Sequence, residues 1–283
     1  MIKRIAIIGA GQMGSGIAQV CALGQFDVQL IDISEIQLTN ARLSVEKNLD
    51  RQVAKGTLTS EAKDQALKAL HFFSIIQDAQ SLDLVIEAVA ENFDLKVHIF
   101  QELDKSLAKD ALLASNTSSL SITKLAETTM RPDRVIGMHF MNPAPVMPLV
   151  EVIRGAKTSE ASYGEILAMI HHLGKTPVTS KDTPGFIVNR ILMTMINEAI
   201  YALYEEIATP EDIDAAMKLG TNQPMGPLQL ADFIGLDTCL SIMQVLHEGF
   251  GDDKYHPCPL LENYVNAGRL GKKTGRGFYE HKV

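Results

Sequence analysis

Apolar positions in the first half of the chain fall in short runs separated by stretches of helical periodicity. This alternation is expected of βαβ units wound around a mostly parallel sheet. Residues 4–8, 28–33, 84–89, 111–114 and 134–138 read as strands, each short and apolar as befits a strand covered on both faces. Residues 148–153 read as a further strand. Between the second and third runs lies a polar stretch, residues 34–70, with Lys47, Arg51, Lys55, Lys63 and Lys68 spread over two helical segments broken at Gly56. It predicts a helical hairpin. After Thr183-Pro184-Gly185 the pattern changes to helical periodicity with loops at Pro210, residues 220–226 and residues 249–259. The expected division is therefore an α/β domain over residues 1–184 and an all-α domain over 185–283. The most apolar segment, 186–203, is interrupted by Asn189, Arg190, Asn197 and Glu198, whereas a membrane span needs about 20 almost unbroken apolar residues. It predicts a buried helix.

Composition fits a folded chain, with 46% hydrophobic and 21% charged residues among 283. Lys plus Arg count 26 against 34 for Asp plus Glu, a net charge of -8 that disfavours nucleic acid and anionic membrane as partners. Cys21, Cys239 and Cys258 are odd in number and unrelated in spacing, so no disulfide framework is expected and a reducing cytoplasm fits best. No export signal is expected either, because Met1 leads through the short run 5–8 straight into glycines. No HExxH or His/Cys cluster supports a metal, and the adjacent pair His171 and His172 would point to different helix faces.

Gly9-Ala10-Gly11-Gln12-Met13-Gly14 spells GxGxxG between the first strand and a helix through Ile17, Ala18, Val20 and Cys21, and Asp32 closes the next strand. In that context the motif predicts dinucleotide binding. Gly9 permits the turn, Gly11 lets the backbone approach a pyrophosphate, and Gly14 allows close helix–strand packing. The helix start supplies N–H groups and partial positive charge. Asp32 can accept the ribose hydroxyls and would repel a 2'-phosphate, which favours NAD over NADP; FAD-binding folds share the fingerprint.

His139 ends the apolar segment 135–138, where an open α/β sheet places its ligands. Glu151 is the only charge in 148–153, and a turn through Pro143, Pro145 and Pro148 can fold it back beside His139. A carboxylate on one imidazole nitrogen fixes the tautomer and raises basicity, as oxidation of an alcohol by hydride loss requires. Asn116-Thr117-Ser118-Ser119 also follows a strand, and either caps the next helix, which suits Ser119 or Ser121 best, or serves the site. Asn189, in the apolar helix after Pro184-Gly185, has either structural partners or a substrate oxygen.

Taken together, GAGQMGSGIA, SNTSSLSI, MHFMNPAPVMPLVEVI, KDTPGFIVNR, MGPLQLADFIGLD and GKKTGRGFY resemble the L-3-hydroxyacyl-CoA dehydrogenase family along the whole chain, the short bacterial 3-hydroxybutyryl-CoA enzymes above all. The resemblance implies a Rossmann-type domain, a helical dimerisation domain, a homodimer, an acyl-CoA substrate and NAD(P)-dependent oxidation at C3. It implies His139 as general base, Glu151 as its partner, and Ser118 and Asn189 at the reacting oxygen, with Ser118 also near the cofactor. Glu91, Lys96, Asn116, Asn142 and Lys273 match cofactor-contacting positions, and Lys55 matches a lysine that meets the CoA nucleotide. Arg51, one turn before Lys55, can reinforce it; a solvated helix face is the plain alternative for both. Two other readings stand beside this one: a dehydrogenase for longer or dicarboxylic 3-hydroxyacyl chains such as 3-hydroxyadipyl-CoA, and a non-catalytic dinucleotide-binding protein.

Overall fold

The computed structural model describes residues 2–282. Its contacts separate two compact units, Met1–Asp182 and Thr183–Val283, a division after Asp182 where the sequence reading places it at Pro184.

The first unit runs β1 (Arg4–Ile8), α1 (Gln12–Leu23), β2 (Asp27–Ile31), α2 (Glu35–Ala54), α3 (Ser60–Ala69), β3 (Leu70–Phe73), β4 (Leu84–Glu87), α4 (Phe93–Ser106), β5 (Leu112–Ser115), α5 (Ile122–Glu127), β6 (Val135–Phe140), β7 (Leu149–Arg154), α6 (Glu160–His172) and β8 (Thr176–Lys181). These strands form one sheet in the order β3-β2-β1-β4-β5-β6-β7-β8. Every neighbouring pair is parallel except β6 with β7. Parallel neighbours need a crossover, whereas the 141–148 turn is too short for one and simply reverses the chain. The chain reverses its winding between β1 and β4, and in open α/β sheets the ligand crevice lies at the carboxyl ends beside such a switch.

β4, β5 and β6 are buried at every position, as apolar strands with cover on both faces must be. Ile5, Ile7, Leu30, Leu84, Ile86 and Leu112 form the middle of that core. The helix starts carry their own caps: Ser34 accepts the N–H of Gln37, Thr59 that of Ala62, Asn92 that of Leu95 and Ser159 that of Ser162. α5 is capped by Ser121, which accepts the Lys124 N–H at 3.2 Å, so Ser118 and Asn116 are not its cap. The hairpin expected over 34–70 is α2 and α3, and α2 buries only Leu38, Ala41, Val45 and Leu49 along one stripe. Two strands are absent from the sequence reading, β3 and β8, and both are sheet edges.

The second unit contains α7 (Val188–Tyr204), α8 (Pro210–Thr221), α9 (Pro227–Ile234), α10 (Leu236–Phe250) and α11 (Pro259–Asn266). Proline opens α8, α9 and α11, where its missing N–H costs nothing. The expectation of an all-α domain needs one amendment, because the tail pairs Gly271 with Arg276 and Arg276 with Glu280 in isolated antiparallel bridges. Much of the apolar surplus in 186–203 and 228–246 closes this unit's own core, through Met193, Ile196, Ile200, Leu228, Leu236, Met243 and Leu246. Ile191, Ile207, Leu219 and Phe233 remain exposed. No single helix among the described residues is long and apolar enough to cross a membrane.

Two buried aspartates organise the helical unit. Asp214 accepts the N–H groups of Leu228 and Gln229 at 2.8 and 2.9 Å, closing the start of α9. Asp232, 1% exposed, accepts the N–H groups of Phe278 and Tyr279 at 2.8 and 2.9 Å and pairs with His281 Nε2 at 2.8 Å. Gly277 is obligatory beneath it, since a Cβ there would sit 1.9 Å from Asp232 Oδ1. Asp232→Ala leaves two buried N–H groups without acceptors, at about 1–3 kcal/mol each. The expected result is a lower Tm by circular dichroism and early proteolytic cutting after residue 268; an unchanged Tm and an uncut tail refute it.

Candidate active site

β6 and β7 set the centre of the site. Their antiparallel register places His139 directly opposite Glu151, and directly opposed residues share a face of the sheet. His139 Nδ1 lies 2.7 Å from Glu151 Oε2, with 7% of the histidine and none of the glutamate exposed. The sequence reading ends this strand at Met138; the strand continues to Phe140, so His139 is a ladder residue, paired with β7.

The turn that reverses the chain is itself secured. Lys175 Nζ donates to the carbonyls of Ala144 and Met147, each at 2.7 Å, and burial lowers the pKa of this ammonium. Asn142 in the same turn accepts from Gln12 Nε2 at 3.1 Å, which ties the end of β6 to the glycine-rich turn. Asn116 Oδ1 accepts the N–H of Phe140 at 2.9 Å, fixing the residue next to His139.

At the glycine turn, Gly9 adopts φ +103° and its N–H donates to Ile31 O at 2.7 Å. α1 opens at Gln12 with no side chain capping it, and Met13 packs against the core. Asp32 follows β2 with one carboxylate oxygen accepting the Ala10 N–H at 2.8 Å and the other the Ser34 N–H at 2.9 Å. The carboxylate therefore braces the turn, and each oxygen keeps a second lone pair for a ligand hydroxyl. A cleft of about 390 Å³ opens between α1, α2 and the 142–145 turn, with Gly11, Gln12, Asn142, Asn48 and Gln19 among its lining. Gln19 is 1% exposed and both polar atoms of its amide lack a partner.

Ser118 lies on the turn after β5. Its N–H and that of Ser119 donate to Glu91 Oε1 at 2.9 and 3.0 Å, and the Thr117 and Ser119 hydroxyls donate to the same oxygen. Burial alone would raise the Glu91 carboxyl; the Lys96 charge and the Thr117 and Ser119 hydrogen bonds outweigh it and hold the group below the usual carboxylate range. Lys96 is 1% exposed, and its ammonium is engaged by Glu87 at 2.6 Å and Glu91 at 3.2 Å. It supports the turn from beneath.

The structure thus brings Gly9–Gly14, Asp32, Glu91, Asn116, Ser118, His139, Asn142 and Glu151 to the carboxyl-end side of one sheet. Arg51 and Lys55 are exposed at the far end of α2 and its cap. Asn189 and Lys273 belong to the second unit: Asn189 is in the first turn of α7, and Lys273 pairs with Asp237 at 2.5 Å. The sequence reading gives no role to Glu87, Gln19 or Lys175, and it names Thr117 only within the segment 116–119. Glu87 alone left a signal, an acid closing an otherwise apolar strand. Among the described residues no His, Cys, Asp or Glu group is arranged to hold a metal, and burial pushes the Cys21 and Cys239 thiols up to about 12.

Comparison with known proteins identifies the family. The profile of the 3-hydroxyacyl-CoA dehydrogenase NAD binding domain matches residues 4–183, and that of the family's C-terminal domain matches 185–281. A 3-hydroxybutyryl-CoA dehydrogenase from Bradyrhizobium diazoefficiens is 55% identical over all of this chain and 96% of its own. The mitochondrial hydroxyacyl-coenzyme A dehydrogenase of Rattus norvegicus is 45% identical, covering 100% and 92%. The crystal structure of (S)-3-hydroxybutyryl-CoA dehydrogenase from Ralstonia eutropha is 49% identical and superposes with a TM-score of 0.97 over the full length of both chains. With both family profiles matched in order along its length, the chain belongs to the 3-hydroxyacyl-CoA dehydrogenase family.

Proposed function

We propose that this protein is an NAD-dependent (S)-3-hydroxybutyryl-CoA dehydrogenase, interconverting the 3-hydroxyacyl and 3-oxoacyl thioesters. The observation that carries the reading is the His139–Glu151 pair at 2.7 Å on the sheet that holds the glycine turn. With Nδ1–H directed at Glu151, Nε2 is the basic nitrogen of His139, and it takes the substrate hydroxyl proton in oxidation and returns it in reduction. Glu151 stabilises the imidazolium that forms. The Gly9–Gly14 turn and Asp32 would hold NAD, which would supply a hydride acceptor for C3 in oxidation and, as NADH, a hydride donor in reduction. Ser118 is assigned to the substrate oxygen, and Asn116 and Asn142 to orientation of the turns around it.

The glycine turn fits a dinucleotide. A Cβ built on Gly11 meets nothing within 4 Å, so the fold itself has no need of glycine there. A Cβ on Gly14 would stand 1.8 Å from Gly9 O, so glycine at 14 is required by packing. The space over Gly11 is what a pyrophosphate approaching the α1 N–H groups requires. For CoA, Lys55 and Arg51, exposed at the end of α2, offer cations for its phosphates. The exposed Ile191, Ile207, Leu219 and Phe233 support a homodimer through the helical unit, and the three buried free cysteines support a reducing cytoplasm.

Acetoacetyl-CoA is expected to drive NADH oxidation, with longer and dicarboxylic 3-oxoacyl-CoA esters less efficient; a folded protein that turns over neither NADH nor NADPH refutes the reading. In His139→Gln the turnover number should fall about 10²- to 10⁴-fold while NADH affinity is nearly unchanged. Loss of folding in that variant would make the histidine structural instead. Gly11→Ala should keep its Tm and lose NADH affinity, whereas Gly14→Ala should lose about 1–3 kcal/mol of stability, or more, from the clash. Equal Tm values for the two glycine variants would overturn that assignment.

A further inference from the structure

A short chain of charges runs beneath the Ser118 turn. Glu87, the last residue of β4, is fully buried, and β4 pairs with β5 so that Glu87 stands beside Ser115. Glu87 Oε1 accepts the N–H of Val89 at 2.7 Å and Lys96 Nζ at 2.6 Å, while Oε2 accepts the Ser115 hydroxyl at 2.7 Å. Ser115 Oγ in turn accepts the N–H of Thr117 at 3.2 Å. Lys96 continues from Glu87 to Glu91, whose side chain keeps 35% of its surface and collects the donors of residues 117–119. A buried ammonium with 1% exposure has almost no surface to give a ligand. One lysine between two carboxylates also leaves one net negative charge at the site, all of whose reachable surface belongs to Glu91.

We propose that Lys96 and Glu87 are positioning residues for the dehydrogenase reaction, holding the Glu91 carboxylate against the 117–119 turn and thereby fixing Ser118. Both turns at the ends of β4 and β5 converge on this one pair, so its removal releases them together. Within this unit the charged groups facing Glu91 are Lys96 from α4 and, behind it, Glu87 from β4, and the turn after β5 offers only hydroxyls and N–H groups. Without Lys96, desolvation of Glu91 has less to oppose it, and its pKa rises. Glu91 then protonates at a higher pH, and it loses acceptor capacity toward the turn as pH falls through that value.

The test uses the full-length protein and the variants Lys96→Met, Glu91→Gln and the double variant Lys96→Met/Glu87→Gln. NADH is titrated by its fluorescence, without acyl-CoA, across roughly pH 4 to 7 where carboxylates titrate. In Lys96→Met the acid limb of NADH affinity should move upward in pH, with a loss of about 10- to 100-fold below the limb and recovery above it. Glu91→Gln should show no limb. If Lys96→Met fails to fold because Glu87 is stranded without a cation, the double variant carries the same test, since it neutralises the buried pair and still deprives Glu91 of its lysine. An unmoved limb, or a uniform loss at all pH values with a lowered Tm, overturns the proposal. The proposal rests on the dehydrogenase reading, and the two fail separately: lack of turnover of acetoacetyl-CoA by the unsubstituted protein defeats that reading while the NADH limb still decides this one. Absence of NADH binding by the unsubstituted protein defeats both.

Discussion

The antiparallel pairing of β6 with β7 is the constraint on which the site depends. In a sheet whose other pairs are parallel, this single reversal sets residues face to face in a fixed register, and the pair it opposes is His139 with Glu151. A slip of β7 by one residue would turn Glu151 to the other face of the sheet, away from His139. The register is protected from several directions: Asn116 holds the Phe140 N–H, Lys175 ties the reversing turn through two carbonyls, and Gly137 leaves no room for a side chain, since a Cβ there would lie 2.8 Å from Ile153. The geometry of the pair is thus a consequence of backbone pairing.

Charge is arranged by the same economy. The chain carries -8 overall, yet the ligands of its family are rich in phosphate. Net charge acts at long range and is screened within about 10 Å at ordinary ionic strength. The features proposed to meet a nucleotide are local: the start of α1, which has no side-chain cap, the open space at Gly11 and cations such as Lys55. The buried Lys175 and Lys96 have different work, one donating to carbonyls and the other to carboxylates, and neither is available to a ligand as a surface charge.

The strands that were legible in the sequence are those with apolar residues at nearly every position, and in the sheet they are interior ones or flank the reversal. The two that were missed have physical reasons. β8 reads TPVTSK, with a proline and mostly exposed positions, because an edge strand needs neither continuous apolar character nor donors on both sides. β3 is four residues at the opposite edge, directly after a helix, and leaves too short a pattern for any period. The ends of β2, β4 and β6 were displaced by one or two residues, because hydrogen-bond partners on the neighbouring strands decide where a ladder stops.

By itself the sequence determined the βαβ succession, the dinucleotide turn with its acid, the histidine and glutamate, and the change to helices near Pro184, because each is written in local spacing and residue type. Tertiary structure alone decided which polar residues support others. Lys96 is a polar residue on an amphipathic helix until β4 places Glu87 against it, and Glu91 is one acid among 34 until the 117–119 turn gathers on it. Burial and partnership arise from segments far apart in the chain, so the chemistry of a buried charge becomes readable only when those segments are packed together.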